Sequence, residues 1–405
     1  MQGRLIVFIC VLIVSLSGAR GVLAQDASPV PAAIILPAPT GPQAVGRTSF
    51  EWIDRTRDEP FTDDPADRRD LVIWMWYPAE PMPDAERAAY LPGLWGDLIG
   101  DALGLDLDHV AVHAVADAPV ASAQPRYPVV LLSPGSGFMS AFYTAIAEEV
   151  ASHGFIVVGV NHTYNANVTV FADGRVVPAA PEAQPQPTDM DAMRAAGETV
   201  TELHAADLAF MLDQLEALDN ETGPFQGRLD LSRIGVLGHS LGGAAAAELC
   251  RVDRRCDAGV NMDGLFWGEA AETGVPVPFL LLMAEHQPCA EVAQLEGVPV
   301  ELCAALDALF TESWQTVQET AAPGSWVIID GSRHGSYSDA PFLPSGAEIL
   351  RSLVGGATIE PERMWRVTSD LLLAFFNTHL LGNAAPVLDD PSSVYPEVQG
   401  VDREQ

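Results

Sequence analysis

Short, unbroken apolar runs alternate with longer amphipathic stretches along most of this chain. Phe50 to Arg57 and Leu71 to Tyr77 predict two early strands, the second ending in Trp74-Met-Trp-Tyr-Pro78. Val129 to Leu132 predicts a buried strand, followed by a helix from about Ala141 to Ser152 and a strand over Phe155 to Val160. Val168 to Val177, centred on Asp173-Gly174, predicts a hairpin. A long helix from roughly Thr199 to Leu218 leads into an apolar β run that starts at Ile234. Ala258 to Met262, Val277 to Met283 and Ser325 to Asp330 predict three more strands, and an amphipathic helix over about Pro361 to Leu381 closes the pattern. Strands alternating with helices over this length imply an α/β fold: a mostly parallel central sheet with helices on both faces.

The ends of the chain depart from that pattern. Arg4, the apolar run Leu5 to Val14 and the small-residue site Val22-Leu23-Ala24 read as a secretory signal over residues 1–24, cleaved after Ala24. The protein is therefore expected to be secreted or periplasmic, although a retained anchor would carry the same apolar run. Residues 25–45, rich in Ala, Pro and Gln, read as a linker. Residues 46–385 read as one domain with insertions near 80–125 and 178–197, and residues 386–405 as a polar tail. Hydrophobic residues, at 48%, suffice for a large core.

Two features of composition narrow the setting. The formal charge is −34, and the chain has no lysine, so its basic residues are all arginine. That balance argues against nucleic-acid partners and against steering toward anionic membranes, and it favours solubility. Beyond the signal, four cysteines remain: Cys250, Cys256, Cys289 and Cys303. Of three pairings, Cys250–Cys256 and Cys289–Cys303 are the local ones, each able to pin a loop. No Cys-x-x-Cys spacing suggests a metal site, and no cofactor is expected.

The candidate chemistry centres on Ile234-Gly-Val-Leu-Gly-His-Ser240-Leu-Gly-Gly-Ala-Ala-Ala-Ala247. An apolar strand breaks into Gly238-x-Ser240-x-Gly242 and continues as a helix, which is the strand–turn–helix context of a nucleophile elbow. The tight turn needs small residues two positions either side of the serine, and it sets the Ser240 hydroxyl at a helix N-terminus, where a developing anion is stabilised. A glycine-containing β–α turn with an incidental serine is the plainer alternative.

A serine hydroxyl needs a base, itself oriented by a third group. Three histidines follow Ser240: His286, His334 and His379. His379 falls within the closing helix, and His286 comes one strand early. His334 follows the last strand, in Asp330-Gly-Ser-Arg-His334-Gly-Ser-Tyr-Ser-Asp339, and is the candidate base with His286 as rival. Asp263, at the carboxyl end of the strand after the elbow, is the candidate acid, in an Asp-Gly pair that is also an ordinary turn. Glu285 and Asp330 are the other candidates, and Asp330 lies nearly adjacent to His334. The backbone N–H of Leu241 and one in the loop Ser133-Pro-Gly-Ser-Gly-Phe138 would form an oxyanion hole; Ser136 is the expected donor and Gly137 the alternative.

With these residues in place, the chain resembles the platelet-activating factor acetylhydrolases of the plasma and intracellular type, members of the α/β-hydrolase superfamily. The likeness runs from about Leu71 to Leu381. It is densest in Tyr127 to Gly137 with Ala151 to His162, in Gly238 to Gly243, and in His334-Gly-Ser-Tyr-Ser-Asp339. Asp263 follows Ser240 at the short spacing that this family uses. The resemblance implies Ser240 as nucleophile, Asp263 as acid, His334 as base, Ser136 and Leu241 as oxyanion donors, and calcium-independent hydrolysis of the sn-2 acetyl ester of ether phospholipids. Pro134 stands where the family commonly has histidine, and the 178–197 insertion has no evident counterpart. A broad carboxylesterase, or a dienelactone- or polyester-type hydrolase, is the nearest alternative. A non-catalytic binding module is disfavoured, because all three site residues are present in order. Residues 90–107 carry Leu94, Trp95, Leu98, Ile99 and Leu103 at near-helical spacing, suited either to weak contact with a lipid interface or to packing on the core as a lid.

Overall fold

Strands that read as unbroken apolar runs occupy the middle of the sheet, where both of their faces are covered. The computed structural model describes residues 33–82, 84–184, 189–285, 287–290, 299–321, 324–344 and 355–400. In chain order the strands are β1 (Ile34–Ile35), β2 (Ala44–Asp58), β3 (Arg68–Ala79), β4 (Arg87–Ala89), β5 (Val110–Ala116), β6 (Tyr127–Ser133), β7 (Ile156–Asn161), β8 (Val168–Val170), β9 (Val176–Pro178), β10 (Leu229–His239), β11 (Ala258–Met262), β12 (Phe279–Ala284), β13 (Gly324–Ile329) and β14 (Val398–Gly400). The helices are α1 (Leu94–Leu103), α2 (Thr144–Ser152), α3 (Met190–Asn220), α4 (Leu241–Val252), α5 (Glu269–Thr273), α6 (Val300–Thr320) and α7 (Pro361–Leu381).

The main sheet runs β1-β5-β2-β3-β7-β6-β10-β11-β12-β13-β14, with β4 beside β5. From β7 to β13 every neighbouring pair is parallel, and β3 and β14 are antiparallel to their neighbours. Every residue of β6, β7, β11 and β12 is buried. Alternate side chains feed two cores. Val130, Leu132, Val157 and Leu237 meet residues of α2 and α7 on one face, whereas Val129, Leu131, Ile156 and Val236 meet α3, α4 and α6 on the other. This is the α/β-hydrolase architecture expected from the sequence.

Several segments differ in detail from the sequence reading. Helix α3 starts at Met190, well before the expected Thr199, because Asp189 caps it by accepting the Ala192 N–H at 2.9 Å. The 80–125 region contributes β4 and β5 to the sheet itself. The segment read as a polar tail contains β14, which pairs with β13. Within the stretch read as linker, Ile34–Ile35 pairs with β5. Trp95 and Ile99 of α1 are buried in the core, Trp95 edge-on to Trp74, while Leu94 is exposed. Cys250 and Cys256 form a disulfide; Cys289 and Cys303 are not joined. The signal segment and His286 lie outside the described residues.

Candidate active site

Strand β10 ends at His239, and Ser240 turns the chain into α4 with φ 54° and ψ −124°. A non-glycine residue held there costs on the order of 1–3 kcal/mol. The turn is closed by contact. A Cβ on Gly238 would sit 1.9 Å from the Gly242 carbonyl oxygen, and one on Gly242 would sit 2.0 Å from that of Ser133. Both glycines of the pattern are thus required by the approach of backbone to backbone. Leu241 opens α4, so its N–H has no acceptor within the helix.

The loop after β6 rests on the same turn. Gly135 lies so near that a Cβ on it would be 3.2 Å from the Ser240 Cβ. The Phe138 N–H donates to the Gly135 carbonyl at 3.0 Å, closing a tight turn with Ser136 and Gly137 at its centre, and Gly137 has φ 77°. Ser136 therefore follows directly on the residue that touches the Ser240 turn.

Asp263 follows β11, also with positive φ, 54°. Asn261 clamps its turn: Oδ1 accepts the Gly264 N–H at 2.8 Å and Nδ2 donates to the Gly264 carbonyl at 2.9 Å. The Asp263 carboxylate accepts the Ala284 N–H on Oδ1 at 2.9 Å and Nδ1–H of His334 on Oδ2 at 2.7 Å. Both side chains are buried. Because a carboxylate only accepts, Nδ1 of His334 carries the hydrogen, and in the neutral ring Nε2 is then the nitrogen with the lone pair. Of the three acids considered, the structure brings Asp263 to His334. Glu285 instead accepts from Arg333 at 2.9 Å, and Asp330 accepts from Gln399 at 2.6 Å. His379 stays on α7 against Phe375.

Groups that the sequence reading assigned no role hold these loops. Asp339, buried behind the His334 turn, accepts the Thr144 and Ala145 N–H groups at the start of α2, at 2.9 and 3.1 Å, and the Tyr90 hydroxyl at 3.1 Å. Burial pushes its carboxyl up to about 7 in spite of these three donors. Ser133, at the start of the other loop, donates to His162 Nε2 at 3.0 Å; His162 Nδ1 donates to Asp207 at 2.8 Å; Arg69 grips Asp207 at 2.7 and 3.0 Å. This second serine–histidine–aspartate chain has no access for a substrate, since Ser133 is fully buried, and it anchors the loop. Burial alone would raise the Asp207 carboxyl, but the Arg69 charge and the hydrogen bonds from His162 and Arg69 outweigh it and hold the group well below the usual carboxylate range. In the sequence Arg69 and Asp207 look like scattered polar positions, whereas Ser133, His162 and Asp339 fall within the blocks that carry the family resemblance but had no role of their own there.

Comparison with known proteins gives the chain a family. The model of the family described as "Platelet-activating factor acetylhydrolase, isoform II" matches residues 93–186 and 195–385. A probable 1-alkyl-2-acetylglycerophosphocholine esterase of Arthroderma benhamiae is 26% identical over 412 residues, 93% of this chain and 96% of that protein. The platelet-activating factor acetylhydrolase of Cavia porcellus is 26% identical over 85% of this chain and 78% of its own. Among solved structures, a ferulic acid esterase from Streptomyces cinnamoneus superposes with a TM-score of 0.73 at 31% identity, covering 92% of this chain and 100% of that one. The chain belongs to the platelet-activating factor acetylhydrolase isoform II family and is a carboxylic ester hydrolase on the α/β-hydrolase fold.

Proposed function

We propose that Ser240, His334 and Asp263 act as nucleophile, base and orienting acid in the hydrolysis of short-chain esters, the sn-2 acetyl ester of an ether phospholipid in particular. The observation that carries this reading is the buried 2.7 Å hydrogen bond from His334 Nδ1 to Asp263. It fixes the tautomer in which Nε2 can take a proton. Ser240 Oγ attacks the ester carbonyl carbon while His334 Nε2 takes its proton, and the N–H groups of Ser136 and Leu241 stabilise the oxyanion. Collapse breaks the ester C–O bond, and His334 returns the proton to the departing alcohol, leaving an acyl-Ser240. Water, deprotonated in turn by His334, attacks that acyl group, and the carboxylic acid departs as Ser240 regains its proton.

The substrate part of the reading leans on the named activities of the fungal and guinea-pig relatives. A second reading, a broader carboxylesterase that accepts aromatic acyl groups, is favoured by the ferulic acid esterase, which is 31% identical over 92% of this chain. Relative kcat/KM on an acetylated ether phospholipid, p-nitrophenyl esters of rising chain length and methyl ferulate separates the two. For the site itself, Ser240→Ala is expected to abolish labelling by a fluorophosphonate probe, and undiminished labelling would refute it. Export is part of the proposal, with the mature chain starting at Gln25, which N-terminal sequencing tests. Any contact of residues 90–107 with a lipid surface would fall mainly to Leu94, because Trp95 and Ile99 are committed to the core.

A further inference from the structure

His239, the residue between Gly238 and Ser240, is wholly buried and makes two hydrogen bonds in opposite directions. Its Nδ1 is 2.7 Å from the hydroxyl of Tyr143, and its Nε2 is 3.0 Å from the backbone carbonyl oxygen of His334. The Tyr143 oxygen in turn accepts the backbone N–H of Gly135 at 3.1 Å. The direction of every bond is forced. A carbonyl oxygen only accepts, so Nε2 of His239 carries the hydrogen. Nδ1 of a neutral ring then can only accept, so Tyr143 donates to it, and the tyrosine oxygen is left free to accept from Gly135. Burial, and secondly the neighbouring His334, push the His239 imidazole well below its usual range, which keeps the ring neutral as this chain of bonds requires.

We infer that Tyr143 and His239 are positioning residues that set the distance between the oxyanion loop and the base, through the chain Gly135 N–H to Tyr143 to His239 to His334 C=O. Gly135 directly precedes Ser136, the proposed oxyanion donor, and the His334 carbonyl belongs to the proposed base. One continuous set of hydrogen bonds therefore joins the two groups that must meet a single tetrahedral centre from different sides. Aromatic packing supports the ring without replacing these bonds: Phe138 is edge-on to His239 at 6.3 Å, and the His239 and His334 rings lie 4.6 Å apart. This inference rests on the site reading of the preceding section.

The test is a double-mutant cycle on Tyr143→Phe and His239→Phe, read as kcat and KM on a p-nitrophenyl acetate-type ester per probe-titrated active site, with Ser240→Ala run alongside. Tyr143→Phe keeps the ring and removes one oxygen, stranding the Gly135 N–H and His239 Nδ1. It is expected to lower kcat by on the order of tenfold to a hundredfold with KM nearly unchanged, the signature of a small misplacement of reacting groups. The double variant should be no slower than His239→Phe alone, because both changes break the same chain. His239→Gln, whose amide N–H can reach the His334 carbonyl, should recover part of the loss. Wild-type kcat per titrated site in Tyr143→Phe, or additive effects in the cycle, would overturn the relay while leaving the Ser240 reading intact. Probe labelling that survives in Ser240→Ala would instead overturn the site reading, and the relay with it.

Discussion

Ser240 and Asp263 share a backbone oddity: both are non-glycine residues with φ of 54°, and each is tied to the neighbouring strand's end. The Ser240 N–H donates to the Met262 carbonyl at 2.9 Å, and the Asp263 N–H to the Leu282 carbonyl at 2.7 Å. The strain at each residue is thus held by the next strand along the sheet, which is how a rigid scaffold keeps unfavourable conformations at a site. For Asp263→Asn, an amide N–H facing His334 Nδ1 would favour the opposite tautomer and block Nε2 from accepting the Ser240 proton. A fall in kcat on the order of 10³–10⁴ is expected, with little change in thermal midpoint, and steady-state kinetics beside a melting curve checks it. The places of Ser240, Asp263 and His334 at or after strand ends were legible in the sequence, because each ends or follows a strand with a clear apolar run. Tyr143, Asn261 and His239 could not, since a hydrogen bond across the fold leaves no periodic trace, and His239 sat inside the quoted pattern without an assigned role.

Two buried carboxylates govern how the elements around the site are joined, and they respond to pH in opposite senses. Asp207 links β3 to α3 through Arg69, and both side chains are fully buried. Replacing it with Asn removes one of the two carboxylates that hold the buried guanidinium, leaving Glu59 at 3.1 Å as the other, and should cost up to about 3 kcal/mol, measurable by denaturant unfolding. Its depressed carboxyl contributes stability above about pH 4, and that contribution is lost as pH falls into the strongly acidic range. Asp339 joins the His334 turn to α2, and its carboxyl is raised to about 7. Its contribution is whole below about pH 4 and is lost as pH rises through about 7. The thermal midpoint of Asp339→Asn should therefore vary less between about pH 5 and pH 8 than that of the wild type; parallel curves would contradict this assignment. At this scale the element order was legible from apolar runs, and Ala258–Met262 and Pro361–Leu381 match residue for residue. The start of α3 was not, because a lone Asp189 cap is easily missed within Pro-, Ala- and Gln-rich sequence.

For the molecule as a whole, a charge of −34 with arginine as its only permanent cation means that like charges crowd the surface. Arginine is concentrated where carboxylates must be gripped: Arg255 alone contacts Asp213, Glu216 and Asp253. The remaining acids repel one another over distances that salt screens, so the thermal midpoint should rise as sodium chloride goes from about 10 mM to 1 M, and a flat or falling midpoint would refute this. The sheet's far edge was the part of the molecule least visible in the sequence. β14 is three residues long, too short to show a period, yet Val398 is buried and the Asp330 N–H donates to the Glu397 carbonyl at 2.7 Å. Strand β13 thus receives its outer partner from residues 398–400, which follow it in the chain only after the whole of α7. On the ribosome, β13 would display an open strand edge until residues 398–400 have been made. A nascent chain arrested before residue 398 would be the form most prone to pair with a second copy of itself.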